Sequence, residues 1–145
     1  MSTGSAPELP RIVVGVDGSP SAHKALVWAL DQARSTGAGV EAVMAWDIPI
    51  TYGTPTMVLP YEDLAKSARA TLAAQIDEAA ADFPRPRLSQ RVVRGHPAHV
   101  LTELAEGADL LVVGSHGHGT FARALLGSVG HHCVQHAPCP VVVVR

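Results

Sequence analysis

The stretch of this 145-residue chain best equipped for chemistry is Gly114–Ser128, GSHGHGTFARALLGS. Four glycines (Gly114, Gly117, Gly119, Gly127) and two histidines (His116, His118) stand between an apolar run, Asp109–Val113, and a segment of helical character that ends before Pro138. Glycine lets a ligand come close to bare backbone N–H groups. A strand, a glycine loop and a helix N-terminus together suit an anion, because free amides and the helix dipole both favour negative charge there. The stretch therefore reads as a phosphate site, and first as a nucleotide site.

Other nucleotide signatures are weaker. A GxxxxGK[ST] loop is missing, and the two lysines, Lys24 and Lys66, follow no glycine loop. A formal GxGxxA runs from Gly117 to Ala122, but no acidic residue follows it to hold a ribose, so a dinucleotide fold is not expected. His132 and His136 stand one helical turn apart with Cys133 between them, a spacing compatible with a metal. With no carboxylate or further ligand at telling spacing, no metal site is expected. His96 and His99 flank a helix start and read as surface residues, Cys133 as a small apolar side chain, and Trp28 and Trp46 as packing, with Trp46 near enough to the strand end to line a pocket.

Composition narrows the class. Hydrophobic residues make up 47% of the chain and charged ones 17%, which excludes disorder, and a net charge of −2 offers no surface for nucleic acid or anionic membrane. Protonating all eight histidines would carry the charge towards +6. Two cysteines make no disulfide framework. The polar start, MSTGSAPELPR, does not read as a signal peptide, and no apolar run is long enough to span a bilayer, so a soluble cytoplasmic protein is expected.

The elements that must hold the loop follow from periodicity. Residues 1–10 read as a flexible lead-in and 11–145 as a single domain. Arg11–Val16 is a continuous β-branched run and so a strand buried on both faces. It stops at Asp17-Gly18-Ser19-Pro20, where Ser19 suits a helix cap and Pro20 the first helical position. Ala22, Ala25, Leu26, Ala29, Leu30 and Ala33 recur at helical spacing up to Gly37. Val40–Trp46 is the second strand, and residues 47–60, with three prolines, a long loop that could act as a lid. Tyr61–Phe83 is helical, with Leu64, Leu72, Ile76, Ala79 and Phe83 on one face. Leu88–Arg94 is a strand of mixed polarity suited to an edge. A short helix follows Gly95-His96-Pro97, then the strand 109–113, a helix over 128–136 and a last strand, Pro140–Val144. Strand–helix alternation of this kind implies an α/β fold with a parallel sheet and helices on both faces. Ligands bind such sheets beyond the carboxyl ends of the strands, where the strand order reverses. The loops after the first and fourth strands would flank that crevice.

The spacing Gly114-x2-Gly117-x9-Gly127-Ser128, the opening VVGVDGS and the ending HAPCPVVVVR together resemble the universal stress protein family over the whole chain, and more narrowly its ATP-binding branch. The resemblance implies a Rossmann-like fold, similar to the adenine nucleotide alpha hydrolases, with a five-stranded sheet of order 3-2-1-4-5. It implies that Gly114 and Gly117 lie against ribose and α-phosphate, and that Gly127, Ser128 and Val129 give amides, with the Ser128 hydroxyl, to the β- and γ-phosphates. Asp17, with Gly15 and Val16 before it, would meet the adenosine, and the Ala45 backbone would meet adenine. It also implies ATP with Mg²⁺ as ligand, and a homodimer paired through Val141–Val144. Where relatives carry arginines in the loop this chain has His116 and His118, charged only near or below pH ~6.5, so ATP affinity is expected to rise as pH falls from ~8 to ~6. The loop offers no lysine for the γ-phosphate and no evident base, so a nucleotide-dependent stress regulator with at most slow hydrolysis is expected. A nucleotidyl- or phosphoryl-transferase, or an interaction module without nucleotide, would use the same fold.

Overall fold

Among the described residues, short β-branched runs alternating with alanine- and leucine-rich helices produce seven strands and four helices. A computed structural model describes residues 9–47, 50–51, 54–55, 61–83, 87–117 and 126–145. Its elements are β1 (Arg11–Gly15), α1 (Pro20–Thr36), β2 (Gly39–Trp46), β3 (Ile50–Thr51), β4 (Thr54–Pro55), α2 (Tyr61–Ala80), β5 (Leu88–Arg94), α3 (Pro97–Leu104), β6 (Leu110–Gly114), α4 (Ser128–His136) and β7 (Val141–Val144).

Five strands form a parallel sheet in the order β5-β2-β1-β6-β7. Counting only these five along the chain, the order is 3-2-1-4-5. The stretch 47–60 differs from the expected plain loop: β3 and β4 pair antiparallel, Ile50 with Pro55 and Thr51 with Thr54. Residues 48–49, 52–53 and 56–60 of it lie outside the described residues, as do residues 1–8 of the expected lead-in. Pro10 already belongs to the fold, since its carbonyl accepts the Gly39 N–H at 2.9 Å.

The period-two alternation of side chains distributes each strand between two apolar layers. Val14, Val40, Ala42 and Val112 pack with Leu26, Leu30 and Leu72 of α1 and α2. Val13, Val43, Leu111 and Val113 pack on the other side with Leu101 of α3 and Cys133 of α4. Every apolar position read from the α1 period is buried. Ser19 caps this helix by accepting the Ala22 N–H at 3.2 Å, and Gly37 ends it at φ +77°, a left-handed conformation that glycine takes without strain. On α2 the buried face is Ala68, Leu72 and Ala79. Small alanines let α2 approach the sheet, and Ala68 was not legible as part of the apolar stripe. Among the described residues no helix is long and apolar enough to cross a membrane.

Candidate functional site

The strand order reverses beside β1, whose neighbours β2 and β6 connect in opposite directions. A cleft of about 270 Å³ opens there, beyond the carboxyl ends of the strands. From β1 and the turn after it come Gly15, Val16 and Asp17, and from β2 comes Ala45. From β6 and its loop come Gly114, His116 and Gly117, and from the start of α4 come Gly127, Ser128 and Val129. All the described residues singled out for the site thus meet at one place; His118 lies outside the described residues. Val43, Pro97, Leu101 and Val113 add an apolar floor that the sequence did not reveal, because buried valines and leucines carry no mark of what they face.

Three helix N-termini border this cleft, and they differ in how their first amides are satisfied. On α1, Pro20 has no N–H and the Ser19 side chain takes the Ala22 N–H. On α3, Pro97 occupies the first turn and His96 Nδ1 accepts the Ala98 N–H at 3.3 Å. On α4 the cap is Gly127, which supplies no side-chain hydrogen bond. The first-turn N–H groups of a helix have no partner within it, so α4 directs unshared amides and the positive end of its dipole into the cleft. Its own position is fixed from behind: Gly127 N–H donates to Ser115 O at 2.6 Å.

The loop after β6 is held to the start of α1 by a serine network. Ser19 Oγ donates to His116 O at 3.4 Å, and His116 N–H donates to Ser21 Oγ at 3.3 Å. Buried Ser115 shares its hydroxyl with His116 Nδ1 at 2.9 Å and lies 3.5 Å from Ser21 Oγ. Ser21 and Ser115 had no sequence signature. Asp17 has a local task as well, its Oδ1 accepting the Ser19 N–H at 2.9 Å in an Asx turn.

Close packing bears on two glycines, by backbone at Gly114 and by a side-chain tip at Gly117. A Cβ on Gly114 would stand 2.7 Å from the Ser21 carbonyl carbon and Cβ and 2.9 Å from the Ala22 nitrogen, so β6 touches the backbone of α1 there. A Cβ on Gly117 would stand 2.8 Å from Asp17 Oδ2. Trp46 points away from the cleft: it packs with the α1–α2 layer while its neighbour Ala45 faces the α3–α4 layer. Cys133 is fully buried, and burial pushes its thiol up to about 11, so it stays a neutral packing residue. His96 and His99 are more than isolated surface residues. Their rings join those of His132 and His136 in a row along α3 and α4. Among the described residues no three metal-ligating side chains gather into a site.

A model described as "Universal stress protein family" matches residues 8–145. A universal stress protein of Mycolicibacterium smegmatis is 38% identical over 138 residues, covering 92% of this chain and 45% of its own length. The chain thus spans about half the length of the curated relatives it matches. Among solved structures, the universal stress protein UspA of Lactobacillus plantarum superposes with a TM-score of 0.74 at 27% identity, covering 97% of this chain and all of that one. A universal stress protein crystallised in complex with cAMP gives 0.73 at 30% identity, covering 94% and 97%.

Proposed function

We propose, for a chain that belongs to the universal stress protein family, that the cleft beside β1 binds an adenine nucleotide, ATP with Mg²⁺ in particular, and that the protein acts as a nucleotide-dependent stress regulator with at most slow hydrolysis. The observation that carries this reading is the start of α4, which among the described cleft-facing helix N-termini is the one without a side-chain cap. The relative bound to cAMP supports an adenine nucleotide as the class of ligand. The apolar floor of Val43, Leu101 and Val113 suits a base, and Ala45, at the end of β2, offers backbone polar groups to its edge.

Size supports a division of labour. At about 270 Å³ the cleft stands near the lower end of small-molecule sites, roughly 300–1,000 Å³. That volume suits a nucleoside, with the phosphates lying outside it along Gly127, Ser128 and Val129. There the α4 amides would hold the phosphate oxygens, with the Ser128 hydroxyl beside them. The Asp17 carboxylate, on the rim between β1 and α1, would meet the ribose hydroxyls. Mg²⁺ entering with the nucleotide would neutralise phosphate charge. The protein's contribution is positioning, through the serine network that fixes His116 and the β6 loop against α1. We assign the single-domain reading over residues 11–145 and a cytoplasmic location to the same proposal.

The test is calorimetric titration of ATP with Mg²⁺ into the wild type and Gly127→Asp at pH 8 and pH 6. Aspartate is a good helix cap, so the variant should fold while its carboxylate occupies the α4 amides and repels phosphate. The wild type should bind at micromolar concentration, more tightly at pH 6 than at pH 8, and the variant at least about tenfold more weakly. Equal affinity in a folded variant would remove α4 from the phosphate site. Failure of the wild type to bind any of ATP, AMP and cAMP would favour an interaction module.

A further inference from the structure

Four imidazoles run across the seam between α3 and α4, outside the groups assigned to nucleotide. His96 caps α3, His99 follows on that helix, and His132 and His136 stand one turn apart on α4. Ring centroids are 5.5 Å apart between His96 and His99, 5.3 Å between His99 and His132, and 4.5 Å between His132 and His136. The contacts are edge-on or tilted, an attractive arrangement for neutral rings. Two imidazolium ions at such distances repel, and at the surface that repulsion survives physiological salt because it acts well within a Debye length.

Among the described residues, no carboxylate forms an ion pair with these rings. Across the seam His132 faces His99 and His96, and on its own helix His136, with exposed His131 beside it in sequence. The carboxylate on α3, Glu103, makes no ion pair among the described residues. Arg94, two positions before His96 in sequence, pairs with Asp47 at 3.6 Å. Cys133 is neutral, and β7, packed against α4, presents valines.

We propose that this row is an acid-sensitive latch: neutral, it joins α3 to α4, and protonated, it loosens these two of the three helices whose starts border the cleft. His96 adds a second element. Its Nδ1 accepts the Ala98 N–H, which an imidazolium cannot do, and a positive charge at the start of α3 opposes the helix dipole. The latch does not depend on what the cleft binds.

The direction follows from His132. Desolvation at the seam, then repulsion from His136, His99 and His96, holds its imidazole below the usual range near 6.5. Between 6.5 and that lower value the unfolded chain binds more protons than the folded one. This stabilisation is therefore complete above about pH 6.5 and is lost as pH falls below it.

Thermal unfolding of the nucleotide-free full chain in metal-free buffer, from pH 7.5 to 5.5, tests the latch on wild type, His132→Gln and His96→Asn. Asparagine keeps a cap acceptor that cannot be protonated. The wild type should lose several degrees of Tm over this range, and each variant distinctly less. Hydrogen exchange at pH 5.5, corrected for intrinsic rates, should show wild-type protection falling in 97–104 and 128–136 before it falls in β1 and β6. Equal acid losses of Tm in wild type and both variants, or loss of protection spread evenly over the sheet, would overturn the proposal.

Discussion

Gly114 and Gly117 show what a residue type can and cannot disclose. In the sequence both are glycines of a loop compatible with phosphate. In the structure Gly114 is also required by the backbone of α1, whereas a Cβ on Gly117 would meet only the end of the Asp17 side chain. Gly15 offers a comparison, because its Cβ would meet Leu101 Cδ1 at 2.7 Å, a side chain that can turn aside. Gly114→Ala should therefore destabilise the protein by about 1–3 kcal/mol, and Gly15→Ala by less, in urea unfolding. If Gly15→Ala proves the more costly, the close approach of β6 to α1 is not what selects glycine at 114. Asp17 is likewise doubly placed: its Asx turn shapes the chain between β1 and α1, so aspartate would be needed there even without a ligand. Ser21 and Ser115 escaped the sequence reading because serine signals neither core nor site. Their role appears only when α1 and the β6 loop are adjacent.

Whole elements were more legible than their contacts. The α1 period, Ser19 cap and Gly37 stop are local signals, and the helix follows all three. The mixed polarity of β5 suited an edge, and β5 is one. The pairing of β3 with β4 was not legible, since two-residue strands have no period. Nor was the imidazole row, because His99 and His132 meet only through the packing of α3 on α4. The other edge, β7, is four valines, all only partly covered, and α4 beside it exposes Val134 at 53%. An apolar edge with unpaired backbone groups is a template for another chain. We therefore expect two copies to pair through Val141–Val144 about a two-fold axis. Light scattering at micromolar concentration should give twice the chain mass, reduced to the chain mass in Val142→Lys. A monomeric wild type would contradict the pairing.

At the scale of the molecule, alternation of strands and helices fixed a parallel sheet, and the reversal of order beside β1 fixed where a cleft opens. The resemblance to the universal stress protein family supplied the strand order, and the sheet has it. Residues 100 positions apart, such as Asp17 and Gly117, come together because β1 and β6 are neighbours. Topology alone located the cleft, but only the structure distinguished α4 from α1 and α3 as the helix with an uncapped start.

The central claim is that this start of α4 receives the phosphates of an adenine nucleotide whose base lies beside Ala45. Backbone amide chemical shifts of the full chain, followed while ATP with Mg²⁺ is added, test it residue by residue. Saturable shifts should be largest at Ser128, Val129 and Gly130, smaller at Ala45 and Val16, and slight in β5. Saturable shifts that leave the α4 amides unmoved, or no shifts at millimolar nucleotide, would contradict it.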